Sequence, residues 1–472
     1  MISFTQFLKA GEVLMNVKKF ASIVLISLMI ISCISCVSKP PVQSGFLDES
    51  VQFDDLNIKG EVTFTISNES GTKAESVAPK ALAKAFMQAY PNTTVKIDDS
   101  SRSSYEVRIV GGTIGDVFWC DSDDAAKYKT QHSALMALDY YIRPLGINLN
   151  DVFIGSRGAG MIDGMFYMVP RELSQQALVY NKDALEEAGV SIPEDRAMTW
   201  DEFKQICIQV TEESDTGAAY TQVGAQMYVA WQRSWIAFAE GWGGVWCHSE
   251  DKYITFTSSP EVMYGLNELV DACLTGWMKP SDVPLSGDLA SKYNGLSSKD
   301  YVFQQMGHIQ WLTRIRTEYE RAATNWDFTY YPQFPTHVVC SEATGYVVYN
   351  RTTNKDTAAA LALFFLTEEG QEQYHSQTGG GVPALATLSE ATFWRYPNDE
   401  DLCDKNWDVF VAYPECTIQG NTVVRMPIDI SNLFSHQNMI NVFQQIFAGA
   451  RSLEDAFGSL ETKANELWET LY

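Results

Sequence analysis

Apolar and polar residues alternate along Glu61-Val62-Thr63-Phe64-Thr65-Ile66, a period of two that predicts a strand. From Ser76 to Tyr90 the apolar positions change to helical spacing, and Pro91 closes that helix. Thr94 to Ile97 predicts a second strand, and Gly115-Asp116-Val117-Phe118-Trp119 a third that ends at Cys120-Asp121. Strand, helix, strand, strand implies an open α/β sheet. Ligands of such sheets sit in the crevice beyond the carboxyl ends of the strands, which places Trp119 and Asp121 where a ligand could touch them.

The middle of the chain continues the pattern. Gly164 to Pro170 and Gln176 to Asp183 predict a strand pair, followed by a helix that closes at Ala188-Gly189. Thr199-Trp200-Asp201-Glu202-Phe203 predicts a helix with a threonine cap and acids in its first turn, where they complement the helix dipole. Phe256 to Glu261 opens a helix that runs to Gly276, and Ala343 to Val348 predicts a strand. Asn354 to Gln371 reads as one helix with its stop.

Residues 1–32 are patterned differently. Lys18-Lys19 leads into the apolar run Phe20 to Ile31 and then Ser32-Cys33. The run is shorter than the roughly 20 apolar residues that span a bilayer. A positive pair, a short apolar segment and a small residue before a cysteine predict a signal peptide. Ile30-Ile31-Ser32-Cys33 resembles the lipobox of bacterial lipoproteins, which implies lipidation at Cys33. Cys36 is the weaker candidate, because cutting there leaves Cys33 three places before the cut. Glu12 fits a signal poorly and the positive region restarts at Met15, so Met15 is the expected initiator. Residues 33–59, with Ser, Pro, Gln and Gly and no periodicity, read as a lipid-anchored tether.

With 472 residues the chain exceeds what one hydrophobic core usually serves, so two lobes are expected. Its formal charge of −25 repels nucleic-acid phosphates and anionic lipid, which makes a lipid rather than a basic patch the expected attachment. Beyond Cys33 and Cys36, an odd number of widely spaced cysteines leaves at least one outside any intramolecular pair. The six histidines stand far apart without metal-ligand spacing, and no GxSxG, HExxH or phosphate-cradling loop occurs. Among 59 acids some pair could always be offered as a glycosidase dyad, so their presence alone discriminates nothing. The expectation is a binding protein that is not an enzyme, a monomer with no metal and no cofactor.

Taken together, the Gln176-Ala177-Leu178-Val179-Tyr180-Asn181-Lys182 strand, the following helix and the Thr199-Trp200-Asp201-Glu202-Phe203 helix start resemble extracellular solute-binding proteins of family 1, the maltose-binding type. Pro260-Glu261, Phe303 to Trp311, Gly379 to Ala384, and Val442 to Ala448 with Ser452 to Phe457 extend the resemblance in register over roughly residues 60–472. It implies a two-lobed periplasmic-binding-protein (type II, Venus-flytrap) α/β fold, each lobe a sheet flanked by helices, with three hinge crossings. Lobe one is expected at 60–176 and 327–388, and lobe two at 177–326 and 389–472.

The same resemblance implies a lipid-anchored protein facing the periplasm or cell exterior that captures a sugar or oligosaccharide and delivers it to an ABC permease. Aromatic faces suit sugar rings, and carboxylates, amides and guanidinium groups suit hydroxyls. Trp231, Arg233, Trp235 and Trp242 fall in one tryptophan-rich stretch and are the lobe-two candidates, although the spacing of Trp231 and Trp235 equally fits the buried stripe of a helix. Glu172 and Gln175 follow Pro170 where the chain first crosses, and Trp311 and Tyr346 are further ring candidates, a plain core role being the alternative for both. Trp119 and Asp121 complete the lobe-one side. The competing readings are a surface glycan hydrolase and a binding protein for a peptide or polyamine.

Overall fold

The computed structural model describes residues 55–471 apart from 68–72, 101, 249–250, 307–311, 337–338, 343, 378–380, 415–416 and 420–425. Cys33 with its leader, and Trp311, lie outside the described residues. All described residues belong to one compact unit, Gln52–Tyr472, within which two lobes are each built on a sheet.

The first sheet runs in the order Thr93–Asp98, Gly60–Thr65, Val117–Asp121, Thr344–Val348, Met168–Pro170. Its first three strands are parallel and the last two neighbour pairs antiparallel. The apolar stripe of helix Lys73–Ala89 buries Leu82 and Phe86 in the core that also holds Phe64, and Phe86 meets Phe364 edge-on at 5.7 Å. At Gly345 a Cβ would come within 2.1 Å of the Val169 carbonyl oxygen, so only glycine lets these neighbouring strands approach.

The second sheet runs Met278–Pro280, Tyr220–Met227, Tyr301–Met306, Ala177–Asn181, Trp326–Tyr330. Again the first three are parallel, and Ala177–Asn181 pairs antiparallel on both sides. Helix Trp200–Val210 packs across it, and Gly224 makes the approach possible, since a Cβ there would lie 2.4 Å from the Cys207 carbonyl oxygen. The helix starts as its sequence predicts. Thr199 Oγ1 accepts from the Glu202 amide, Glu202 Oε2 accepts from the Thr199 amide, and Arg196 grips both Glu202 oxygens at 2.8 Å.

Between the lobes lies a small sheet in the order Val382–Pro383, Glu172–Gln175, Val339–Glu342, Thr417–Gln419. Its members connect the two large sheets, so the chain passes between lobes three times. The strand Trp326–Tyr330 corrects the expected boundary at 326/327, because it stays hydrogen-bonded in the second sheet through Tyr330. The reason is its alternation: Trp326, Phe328 and Tyr330 enter the cluster around Trp394, Trp407 and Phe410, and Asp327 pairs with Lys182 at 2.8 Å. The expected single helix from Asn354 is two, Lys355–Phe364 and Glu368–His375, because Thr367 Oγ1 accepts from the Gly370 amide and caps a new start. Among the described residues no helix is long and apolar enough to cross a membrane.

At the end of helix Gln232–Glu240, burial pushes the Glu240 carboxyl from its ordinary 4.5 up to about 7. A carboxyl that is harder to ionise folded than unfolded holds extra protons in the native state, so stability falls as pH rises from about 4.5 to about 7. The expected result is a melting temperature that declines across this window in the wild type and declines less in Glu240→Gln. Parallel declines in thermal melts of the two proteins would contradict it.

Candidate functional site

The parallel strands of the first sheet end at Thr65, Asp98 and Asp121, and those of the second at Met227, Pro280 and Met306. These ends, with the connecting strands, define the crevice in which an α/β fold holds a ligand.

The floor of the hinge is a buried polar lattice. Arg171 NH2 lies 3.0 Å from Glu172 Oε1, and both side chains are almost fully buried. Thr344 Oγ1 donates to the same Glu172 oxygen at 3.1 Å. The Glu172 carboxylate lifts the Arg171 pKa further against the opposing effect of desolvation, so the guanidinium stays charged. His375 places one ring nitrogen 2.9 Å from the Arg171 carbonyl oxygen and the other 2.9 Å from that of Gly381, tying the third crossing to the first. Gln175 Nε2 donates to the Ala412 carbonyl. Glu172 and Gln175, expected as hydroxyl partners of a solute, therefore turn their side chains into the hinge, Glu172 to Arg171 and Thr344 and Gln175 through its Nε2 to Ala412. Their exposures of 2% and 4% leave almost no surface to a solute.

On the lobe-two wall, residues 228–235 follow the strand Tyr220–Met227 directly. The Val229 and Trp231 amides donate to the two Asp282 carboxylate oxygens at 2.9 and 2.8 Å, and His436 Nε2 lies 3.0 Å from Asp282 Oδ2. The Trp231 ring is only partly buried, meets Tyr228 edge-on at 5.3 Å, and carries the Arg233 guanidinium 4.3 Å from its centre. Arg233 NH1 lies 3.5 Å from Ser174 Oγ on the first crossing. Beneath them Gln305 Nε2 donates to Ser234 Oγ and to Gln176 Oε1, and its Oε1 accepts from the Tyr228 amide at 2.8 Å. Trp231, Arg233 and the first crossing are thus brought together.

Other expected site residues go elsewhere. Trp235 is wholly buried among Trp246, Phe256 and Phe434, so the helical-stripe alternative describes it and its ring offers no face to a solute. Tyr346 is likewise enclosed, stacked on Phe365 at 4.3 Å and beside Phe64 at 4.8 Å. Trp119 pairs in register with Tyr346 and faces the same core, only 4% exposed. Trp242 packs on Phe334 and Tyr264 at 5.1 and 5.3 Å, against the outside of the lobe-two core. Asp121 caps helix Ser122–Thr130 by accepting from the Asp124 amide at 2.8 Å and stands at a strand end as expected.

The structure adds Tyr228, Asp282, Gln305 and Ser174, which sequence reading missed. Only Ser281-Asp282 carried a signal, a turn directly after the strand Met278–Pro280 at its carboxyl end. Among the described residues no group of His, Cys, Asp and Glu is arranged to hold a metal.

Two sheet-based lobes with three crossings and a crevice at strand ends define a two-lobed solute-binding fold. The model of the bacterial extracellular solute-binding protein family matches residues 70–372, and the chain belongs to that family. Among curated proteins no sequence matches it. Solved structures do. The sugar-binding protein MalE of Xanthomonas citri has a TM-score of 0.67 at 19% identity, covering 87% of this chain and 98% of that one. An ABC substrate-binding protein of Listeria monocytogenes in complex with cycloalternan has 0.65 at 18%, covering 87% and 99%. UgpB of Mycobacterium tuberculosis in complex with glycerophosphocholine has 0.66 at 15%, covering 88% and 99%.

A partly exposed indole backed by a guanidinium is the arrangement a solute ring can stack upon. Trp231→Ala is expected to weaken solute binding by about 1–3 kcal/mol, the cost of one desolvated aromatic anchor. Titration calorimetry checks this, with Tyr346→Phe retaining wild-type affinity. Full affinity in Trp231→Ala would make the ring a packing element only.

Proposed function

We propose that this extracellular solute-binding protein captures a sugar or oligosaccharide between its lobes and delivers it to an ABC import permease, without turning it over. The observation that carries the reading is the Trp231 ring at the carboxyl end of the second sheet, with Arg233 against it and the hinge strand beside it. A partly exposed aromatic face suits the apolar ring face of a sugar, with Arg233, itself 2% exposed, backing the ring rather than reaching the solute. Asp121, at the facing strand end, is the lobe-one candidate for a hydroxyl. The Listeria and Xanthomonas neighbours, one solved with cycloalternan and one described as sugar-binding, support the carbohydrate reading.

Ligand contacts to both lobes would favour the closed arrangement and so present a different outer surface to a permease. In this reading the lobes are 60–176 with 344–388, and 177–330 with 389–472. A lipid on Cys33 holds the protein at a membrane facing the periplasm or exterior through the 33–59 tether. The second reading, a non-sugar solute, has one observation in its favour, the glycerophosphocholine bound by the Mycobacterium neighbour.

Ligand that binds only the folded state raises its melting temperature by mass action. Melting against mono- and oligosaccharides, with glycerophosphodiesters, peptides and polyamines alongside, is expected to give a saturable rise for one sugar class with no product formed. A rise only for a non-sugar solute would discard the carbohydrate assignment, and product formation would discard simple capture. Fractionation of cells that express the full chain is expected to leave the protein in the membrane pellet, and Cys33→Ala is expected to release it. Equal partitioning of the two would remove the anchor.

A further inference from the structure

A pocket of about 360 Å³ opens at the edge of the second sheet, between the end of strand Met278–Pro280, the 281–285 loop and the residues around helix Gly287–Lys292. Its polar lining includes Lys279, Ser281, Tyr293 and Asn294. The Lys279 ammonium lies 5.4 Å from the centre of the Tyr301 ring and 5.9 Å from that of Tyr293. Those π faces attract a cation, but no carboxylate among the described residues pairs with it. Asp282, the acid in the pocket wall, is already engaged by the Val229 and Trp231 amides and by His436. The neighbouring Lys292 has its own acid, Glu213, at 2.7 Å. Burial alone shifts the Lys279 pKa, downward, with no opposing acid.

A cation half out of water without a counter-charge is costly. It occurs in a chain that carries a formal charge of −25 and therefore has no shortage of acids. The missing partner has a definite chemistry. We propose that this pocket is a binding site for a small oxyanion, a carboxylate or phosphate group, held by the Lys279 ammonium with the Ser281 and Asn294 side chains. Lysine serves such groups as a point charge, and the hydroxyl and amide supply neutral donors. The pocket shares Asp282 and the end of strand Met278–Pro280 with the crevice described above, but the proposed ligating groups of Lys279, Ser281 and Asn294 are distinct from Trp231 and Arg233.

Titration calorimetry of the purified protein with inorganic phosphate and with acetate, at constant ionic strength and with chloride as the control, tests it. The expected result is saturable binding of at least one of the two, weakened at least tenfold in Lys279→Met and unaltered in Trp231→Ala. Phosphate alone, or acetate alone, tells the two oxyanion sources apart. Equal binding by wild type and Lys279→Met, or heats that follow ionic strength only, would overturn the site. A second measurement needs no folded variant. After reductive methylation with labelled formaldehyde, the lysine resonance with the lowest titration midpoint is expected to move up by half a pH unit or more on saturation with the oxyanion. An unmoved midpoint would overturn the proposal as well.

Discussion

The ion pair between Arg171 and Glu172 is buried where all three passages of the chain between the lobes meet. Glu172 opens the first connecting strand, Thr344 just after the second donates to its carboxylate, and His375 joins the Arg171 carbonyl to Gly381 at the start of the third. Two charges withdrawn from water repay their desolvation only when their remaining donors and acceptors are also satisfied. Here Thr344 supplies a second donor to the Glu172 carboxylate, while the Arg171 Nε has no partner among the described residues, so the pair is only partly compensated. Losing one member of such a pair leaves an uncompensated charge at a cost of about 3–5 kcal/mol, enough to loosen the connection on which the relative placement of both sheets rests.

This arrangement explains which parts of the molecule were legible in the sequence. Local signals were reliable wherever a residue acts on its own neighbourhood: Thr199 and Glu202 box a helix start, Pro260 opens a helix, and the alternation of Gly60–Thr65 and the short apolar run of Val117–Asp121 yield strands close to the expected bounds. The order of such pieces sufficed for the two-lobed fold. Boundaries failed where a distant partner decides. Trp326–Tyr330 extends in the second sheet because Ala177–Asn181 lies beside it, and no neighbouring residue announces that pairing. The break after Phe364 depends on a single threonine cap inside a stretch whose apolar spacing otherwise continues.

Site residues were harder, for a chemical reason. Tryptophan and tyrosine serve a core and a sugar platform equally well, so their identity does not tell an open ring from an enclosed one. Trp231 and Trp235 differ by one helical turn, yet the first stands at a helix start beside the crevice and the second points into the lobe. Polar residues mislead in the opposite direction. Glu172 and Gln175 have the right functional groups at the right crossing, but hinge strands need those groups to satisfy their own buried neighbours. The lobe-two wall is built from residues that look ordinary in sequence, such as Gln305, because their role is to hold backbone rather than solute.

The carboxylate of Asp282 illustrates what such support accomplishes. By accepting from the amides on either side of Ala230, it pins the segment just before helix Gln232–Glu240, while the helix itself secures the chain immediately after Trp231. An indole mounted on backbone fixed at both ends has little conformational entropy left to surrender. When a partner settles on that ring, most of the ordering cost that weakens loop-borne recognition has already been met during folding.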